Sequence, residues 1–517
     1  MIKLRINGME VEVPEGASVM KAAKKAGINI PGLCMDDELE HFTSCMLCLV
    51  KDGSGKLFPS CSVVAATGMN IITEDDEIGE ARRTALELLL SEHVGDCEAP
   101  CRLACPAHMN IPLMNRLIAA GKWEESLRIV KRDIALPSVL GRICPAPCEG
   151  ACHRKTVDEA VSICLLKRSV GDLHDLHPFP VPPLNGKRVA VAGAGPAGLS
   201  AAYYLRLKGI EPFLFDRENL PGGELRKSIP PDVLPPDVLD REISSILETG
   251  IHFSGNTLID DHVYDHLKQS FDALILATGT LDDVTKSFQL KGTSKGLEVN
   301  RNSYMTSETG VFAIGNVLRS SKLAIRSAGQ GKEVASSVDQ YLKGEPVTGE
   351  TERFNSRFGK LMQTELSEYL KEASKTDRFH PEKPHTGLNK KEAMAEAGRC
   401  MHCDCRAAGN CKLRDYSDQY QANQKRFQTS PRRRIQKYFQ NTEVVFEPGK
   451  CIKCGICVRL TEKYGEKYGL TYIGRGFDIV IGVPFNETLD AALKETSELV
   501  VRKCPTGALS LRERKPA

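Results

Sequence analysis

The chain has 517 residues, enough for three to five folding units with ample core. Its 69 Lys and Arg against 67 Asp and Glu leave a formal charge of +2, which provides no overall field for nucleic acid or an anionic membrane surface. No apolar run approaches the ~18 residues that span a bilayer, and the N-terminus alternates Lys3 and Arg5 with apolar residues where a signal peptide needs a hydrophobic stretch, so a soluble, cytoplasmic protein without membrane insertion is expected.

In such a chain 19 cysteines do not read as a disulfide framework, and metal sites become the leading explanation. They fall in groups. Residues 2–13 alternate apolar and polar around Asn7-Gly8, a turn signal that closes a hairpin. Ser18 to Ala26 reads as a short helix ended by Gly27, and Cys34, Cys45, Cys48 and Cys61 follow. This β-grasp lead-in with its C-x10-C-x2-C-x12-C spacing resembles the 2Fe-2S domain at the N-terminus of the large peripheral-arm subunit of complex I and of multimeric iron hydrogenases. Zinc is the alternative for a thiolate quartet.

After a helical stretch at Arg82 to Leu90, the segments DCEAPCRLACPAHMNIP and GRICPAPCEGAC resemble the N-terminal iron-sulfur domain of the glutamate synthase small subunit, shared with dihydropyrimidine dehydrogenase. That resemblance implies two 4Fe-4S clusters, one on Cys97, Cys101 and Cys152, the other on Cys105, Cys144 and Cys148. Each lacks a fourth ligand. His93, in a His-x3-Cys arrangement similar to that of the complex I subunit, is the candidate for the first. For the second, the family takes a Gln or Glu where this chain has Lys167; Cys164 lies one helical turn earlier on the same face and is the candidate.

Beyond a proline-rich linker at Pro178 to Pro183, VAVAGAGPAGLSAAYYL gives strand, turn and helix, with Gly193, Gly195, Pro196, Ala197 and Gly198 placed to let a pyrophosphate approach the helix N-terminus. Asp216, followed by Arg217, stands about where a ribose-binding acid belongs. Gly222-Gly223, Ala277-Thr278-Gly279 and Gly315-Asn316 complete the ordered motifs of two-dinucleotide-fold flavoproteins, implying FAD. Asn316 replaces the usual Asp. Glutamate synthase small subunits insert a complete NADPH-binding fold between the counterparts of Gly279 and Gly310, where only about 30 residues lie here, too few for a nucleotide domain.

Gly344 to His385 reads as a polar connector, and the basic run at Arg432 to Arg434, without aromatic interleaving, as a solvated or subunit-contacting face. Cys400, Cys403, Cys405 and Cys411 form a compact quartet suited to 4Fe-4S or zinc. Cys451, Cys454 and Cys457 with the distant Cys504-Pro505 form a bacterial-ferredoxin signature for one 4Fe-4S cluster.

The expected fold class is multidomain α/β and α+β: a β-grasp ferredoxin at 1–80, a helical iron-sulfur domain at 81–180, a Rossmann-like FAD domain at 181–345, a connector at 346–398 and a C-terminal bacterial-type ferredoxin domain at 399–517. The expected cofactors are FAD, one 2Fe-2S cluster and up to four 4Fe-4S clusters. The expected function is an electron-transfer subunit of a cytosolic, anaerobic oxidoreductase complex, with flavin-based bifurcation open. Its partners would be a subunit similar to the NADH-oxidising FMN subunit of complex I and a catalytic oxidoreductase subunit. A self-sufficient NAD(P)H-dependent oxidoreductase and an iron-sulfur scaffold with a dead flavin site are the rivals.

Overall fold

A computed structural model describes the chain except residues 40–42, 174–179, 281–287, 382–385, 430, 439, 442 and 513–517. The start of the proline-rich linker, the end of the polar connector and part of the segment after Gly279 therefore lie outside the described residues. The protein divides into two compact units that are nested in sequence: the first comprises 1–98, 353–371 and 403–517, the second 99–352 and 372–402. The N-terminal and C-terminal stretches, expected as separate domains, belong to one unit.

In the first unit, strands β1 (Ile2–Ile6) and β2 (Met9–Val13) form the expected hairpin, with Asn7 and Gly8 both at positive φ so that the turn twist matches the strands. With β3 (Leu49–Asp52), β4 (Leu57–Pro59) and β5 (Asn70–Ile72) they make a sheet of order β2-β1-β5-β3-β4, in which β5 joins β1 in parallel. Ser18 caps the helix Val19–Lys25, which buries Val19, Met20, Ala22 and Ala23. The helix Asp76–Ser91 then carries the chain to the unit boundary. Further on, the strands Val444–Phe446 and Leu509–Leu511 pair antiparallel, and the helices Ile456–Lys463 and Ser497–Lys503 complete the ferredoxin-like part. Leu33 and Leu47 share one buried core with Ile456, Leu460, Ile481 and Val500. Burial of that common apolar surface fuses the two ends of the chain.

The second unit begins with short helices. Pro137–Ile143 and Ile163–Asp172 cross so closely that a Cβ added at Gly141 would lie 2.6 Å from Arg168 Cβ, and one at Gly171 2.9 Å from the Ser138 nitrogen. Both N–H groups that open the first of these helices, at Ser138 and Val139, donate to the buried Glu242 carboxylate at 2.7 and 2.8 Å. The dinucleotide-fold part is a parallel five-stranded sheet. Its strands are β6 (Arg188–Ala192), β7 (Glu211–Phe215), β8 (His252–Ser254), β9 (Ala273–Leu276) and, after the two-residue strands β10 (Gly292–Thr293) and β11 (Gly296–Leu297), β12 (Val311–Ala313), in the order β12-β9-β6-β7-β8. Near-continuous apolar strands such as Ala273–Leu276 are what a sheet covered on both faces requires. The helix Lys390–Ala397, closed by an Asn389–Glu392 capping box, ends just before Cys400.

Candidate functional site

All 19 cysteines are free thiols, and most are buried. In the first quartet the sulfurs meet in pairs, Cys34 with Cys45 at 3.5 Å and Cys48 with Cys61 at 3.0 Å. The hydrogen bond between them holds the Cys34 thiol down to about 5, while Cys45 is pushed up. Cys451, Cys454, Cys457 and Cys504 form a second group around a cavity lined by all four. Burial raises Cys451 to about 11 and Cys454 to about 12, so unligated thiols here stay protonated. One side chain links the two groups: Arg459 Nη2 donates to the Cys34 carbonyl and to the Cys454 carbonyl, both at 3.2 Å. Lys503 adds an ion pair to Asp36, two residues after Cys34, at 2.7 Å.

The third group differs from the sequence expectation. Cys97, grouped above with Cys101 and Cys152, lies in the first unit, and its neighbours there are Cys405 and Cys411. The Cys405 N–H donates to the Cys97 carbonyl at 3.2 Å. The compact quartet is correspondingly split, since Cys405 and Cys411 fall in the first unit and Cys400 in the second. The physical reason is the nesting: the chain leaves the first unit after Glu98, re-enters it at 353–371 and returns finally at Cys403, which brings together residues some three hundred positions apart and separates near neighbours. Sequence proximity could not reveal this. His93 is half-buried in the same unit, its pKa lowered to about 4 by desolvation of the ring and by Lys450, and its buried Nδ1 has no hydrogen-bond partner. A neutral imidazole with an unused nitrogen is fit to ligate a metal. Lys450, whose ammonium bonds Glu447 at 2.6 Å, runs its stem past Gly95, where a Cβ would lie 2.6 Å from Lys450 Cε. Cys403 lies in the first unit, where its charge acts on Tyr369 and Lys437.

In the second unit the sulfurs of Cys164, Cys144 and Cys148 act on one another electrostatically, and Cys105 joins them in acting on Lys167. Cys144 ends the helix Pro137–Ile143 and Cys164 begins the helix Ile163–Asp172, so the glycine crossing described above sets their separation. Cys152 and Cys400 sense each other in the same unit, beside Asn115, whose buried amide has no hydrogen-bond partner at either atom. Cys101 is buried on the short helix Pro100–Ala104, which packs against the helix Pro147–Gly150. Among the described residues, no three or more His, Cys, Asp or Glu side chains converge closely enough to hold a single metal ion.

The glycine motif divides three tasks. Gly193, at φ +107°, has no room for a side chain because a Cβ would lie 2.3 Å from the Ala277 carbonyl oxygen. Gly195, the N-cap of the helix Pro196–Arg206, opens onto free space. A Cβ at Gly198 would sit 1.8 Å from the Gly193 oxygen, so helix and strand pack in direct contact. Tight turn, open approach and close packing are the three requirements of a pyrophosphate cradle. Pro196 opens the helix, and Ala197 lies under Gly315, where a Cβ would be 3.0 Å from its own. Asp216 accepts from the Ala194 N–H at 2.6 Å and from the Glu218 N–H at 2.8 Å, so its carboxylate fixes the glycine loop. Arg217 is drawn toward Glu218. Gly222 donates to the Ala194 carbonyl, and a Cβ at Gly223 would lie 3.0 Å from Gly195 Cα. Thr278 keeps a buried hydroxyl without a partner, Gly279 is open, Gly315 N–H donates to Gln330, and the Asn316 amide oxygen accepts from the Ser321 N–H at 3.1 Å. An orphaned hydroxyl and an open glycine at the end of a parallel sheet fit a bound dinucleotide.

Three family models match the chain: a 2Fe-2S iron-sulfur cluster binding domain over residues 1–76, dihydropyrimidine dehydrogenase domain II with a 4Fe-4S cluster over 72–177, and an NAD(P)-binding Rossmann-like domain over 191–266. Among curated proteins the chain is 39% identical over 228 residues to an NADPH-Fe(3+) oxidoreductase subunit beta of Geobacter sulfurreducens, a match covering 41% of this chain and 34% of that one. It is 39% identical over 207 residues to an NADP(+)-dependent formate dehydrogenase subunit beta of Moorella thermoacetica, covering 35% and 29%. It is 38% identical over 180 residues to the glutamate synthase [NADPH] small chain of Bacillus subtilis, covering 34% and 36%. The matches span about a third of each relative's length. The chain therefore joins stretches that match a 2Fe-2S domain, a dihydropyrimidine dehydrogenase-type 4Fe-4S domain and a Rossmann-like dinucleotide fold, and over about a third of its length or a little more it is similar to the glutamate synthase small chain and the oxidoreductase beta subunits.

Proposed function

We propose that the chain is an electron-transfer iron-sulfur flavoprotein subunit of a multi-subunit oxidoreductase, passing electrons between an NAD(P)H-linked partner subunit and a catalytic one. The observation that carries the reading is Arg459, which ties the backbone of the first quartet to that of the last. Cys411 in turn acts electrostatically with Cys504, Cys405 and Cys97, so three thiol groups follow one another within one unit. In this reading Cys34, Cys45, Cys48 and Cys61 hold a 2Fe-2S cluster, while Cys451, Cys454, Cys457 and Cys504 hold a 4Fe-4S cluster, as do Cys97, Cys405 and Cys411 with His93. In the second unit, Cys105, Cys144, Cys148 and Cys164 hold another, and Cys101, Cys152 and Cys400 contribute to a further one. Bound clusters supply single-electron exchange.

FAD is the ligand proposed for the glycine cradle, where it would supply exchange between electron pairs and single electrons. The protein's part is to bind and orient it: Gly195 admits the pyrophosphate, the N-terminus of the helix Pro196–Arg206 offers free N–H groups, and Asp216 keeps the loop in shape. The short segment between Gly279 and Gly310 supports entry of electrons through a partner. One observation favours a second reading. The matching dinucleotide family is described as NAD(P)-binding, which suits a self-sufficient oxidoreductase whose bound flavin a nicotinamide nucleotide reaches without a further fold. Anaerobic addition of NADH or NADPH to the flavin-containing chain separates the two: the first reading predicts no flavin bleaching until dithionite is added, and fast bleaching by either nucleotide supports the second.

A further inference from the structure

Lys167 is 3% exposed and lies one helical turn after Cys164. Burial opposes its charge, and the groups that could offset this are the sulfurs of Cys164, Cys144, Cys105 and Cys148. Nearby carboxylates are committed elsewhere. Glu149 accepts the Cys164 N–H at 3.0 Å and pairs with Arg378 at 2.8 Å, while Asp172 is held by Arg142 at 2.8 Å and Arg168 at 3.1 Å. Among the described residues no carboxylate pairs with Lys167. A buried ammonium without an anion is among the costliest groups in a protein interior, and neutral thiols do not supply that anion. Four thiolates on a cluster do.

We propose that Lys167 is the fixed counter-charge of the four-sulfur site at Cys105, Cys144, Cys148 and Cys164, and that it raises the reduction potential of a cluster held there. The inference rests on reading those four cysteines as cluster ligands. Reduction adds one electron from an external donor and with it one negative charge, so a cation fixed beside the sulfurs favours the reduced state.

The test uses the full chain purified anaerobically and titrated with dithionite while electron paramagnetic resonance follows each cluster. Cys144→Ala identifies the signal of this site. If it removes none, the cluster reading fails, and this inference with it. Given a signal, Lys167→Met is expected to keep the iron and shift the midpoint of that signal alone downward by at least tenfold in the reduction equilibrium, about 59 mV for one electron. Lys167→Arg is expected to keep the wild-type midpoint. An unmoved midpoint in a Lys167→Met chain that keeps the cluster overturns the proposal. If Lys167→Met sheds the cluster, retention in Lys167→Arg supports a counter-charge, and loss in both variants overturns it.

Discussion

At the residue scale, the chemistry of the cysteines follows from which sulfurs a local backbone bond brings together. Cys97 and Cys405 are joined by an N–H to carbonyl bond at 3.2 Å, whereas Cys152 and Cys400 meet in the other unit. Cys97→Ser and Cys405→Ser should therefore abolish the same cluster signal, and Cys152→Ser a different one; loss of a common signal in Cys97→Ser and Cys152→Ser would contradict the regrouping. Gly198 is equally specific, because a side chain there collides with the Gly193 oxygen. Gly198→Val should give a chain that retains its iron but has lost bound flavin, measured by absorbance of the acid-released cofactor. Much of this was legible in the sequence: the glycine motif, the first and last quartets, and Cys164 beside Cys144 and Cys148. The partners of Cys97 were not, because an insertion between ligands leaves no spacing to read. Lys167 was legible as a position, but a buried cation cannot be told from an exposed one by residue type alone.

At the element scale, close helix crossings and buried ion pairs set the frame. Gly141 and Gly171 let the helices carrying Cys144 and Cys164 touch. Gly141→Val must push Arg168 away, and it should selectively remove the cluster at Cys144 and Cys164 while the signal of the Cys451 group persists. The cap of the helix Pro137–Ile143, Glu242, comes from about a hundred residues later and has no local signature. In the first unit Arg432 grips the buried Glu365 with both nitrogens at 2.6 Å, and this pair holds the carboxyl down to about 2. The basic run containing Arg432 is thus partly structural, not only a solvated face. Removing one partner of such a pair costs about 3–5 kcal/mol. Because the folded value lies below the unfolded value of about 4.3, the stabilisation is present above that pH and lost as pH falls toward 2. The gap in urea midpoint between wild type and Glu365→Gln should be widest above about pH 4.3 and should close on acidification; a gap independent of pH would contradict the assignment.

At the scale of the whole molecule, the organisation is a nested one. A unit built from both ends of the chain holds three of the thiol groups, and the unit formed by most of the middle holds the dinucleotide fold with the remaining two. The sequence shows the parts in order, but contiguity suggested five successive domains, and only the shared core of Leu33, Leu47, Leu460 and Val500 reveals that the ends fold together. Such an arrangement suits electron transfer, in which closely spaced single-electron sites matter more than a substrate pocket. The central claim is that these thiols hold one 2Fe-2S and four 4Fe-4S clusters, about 18 iron atoms per chain. Iron, acid-labile sulfide and flavin should be quantified per chain after anaerobic purification: near that iron content with one flavin is the predicted result, and fewer than about ten iron atoms would contradict the account.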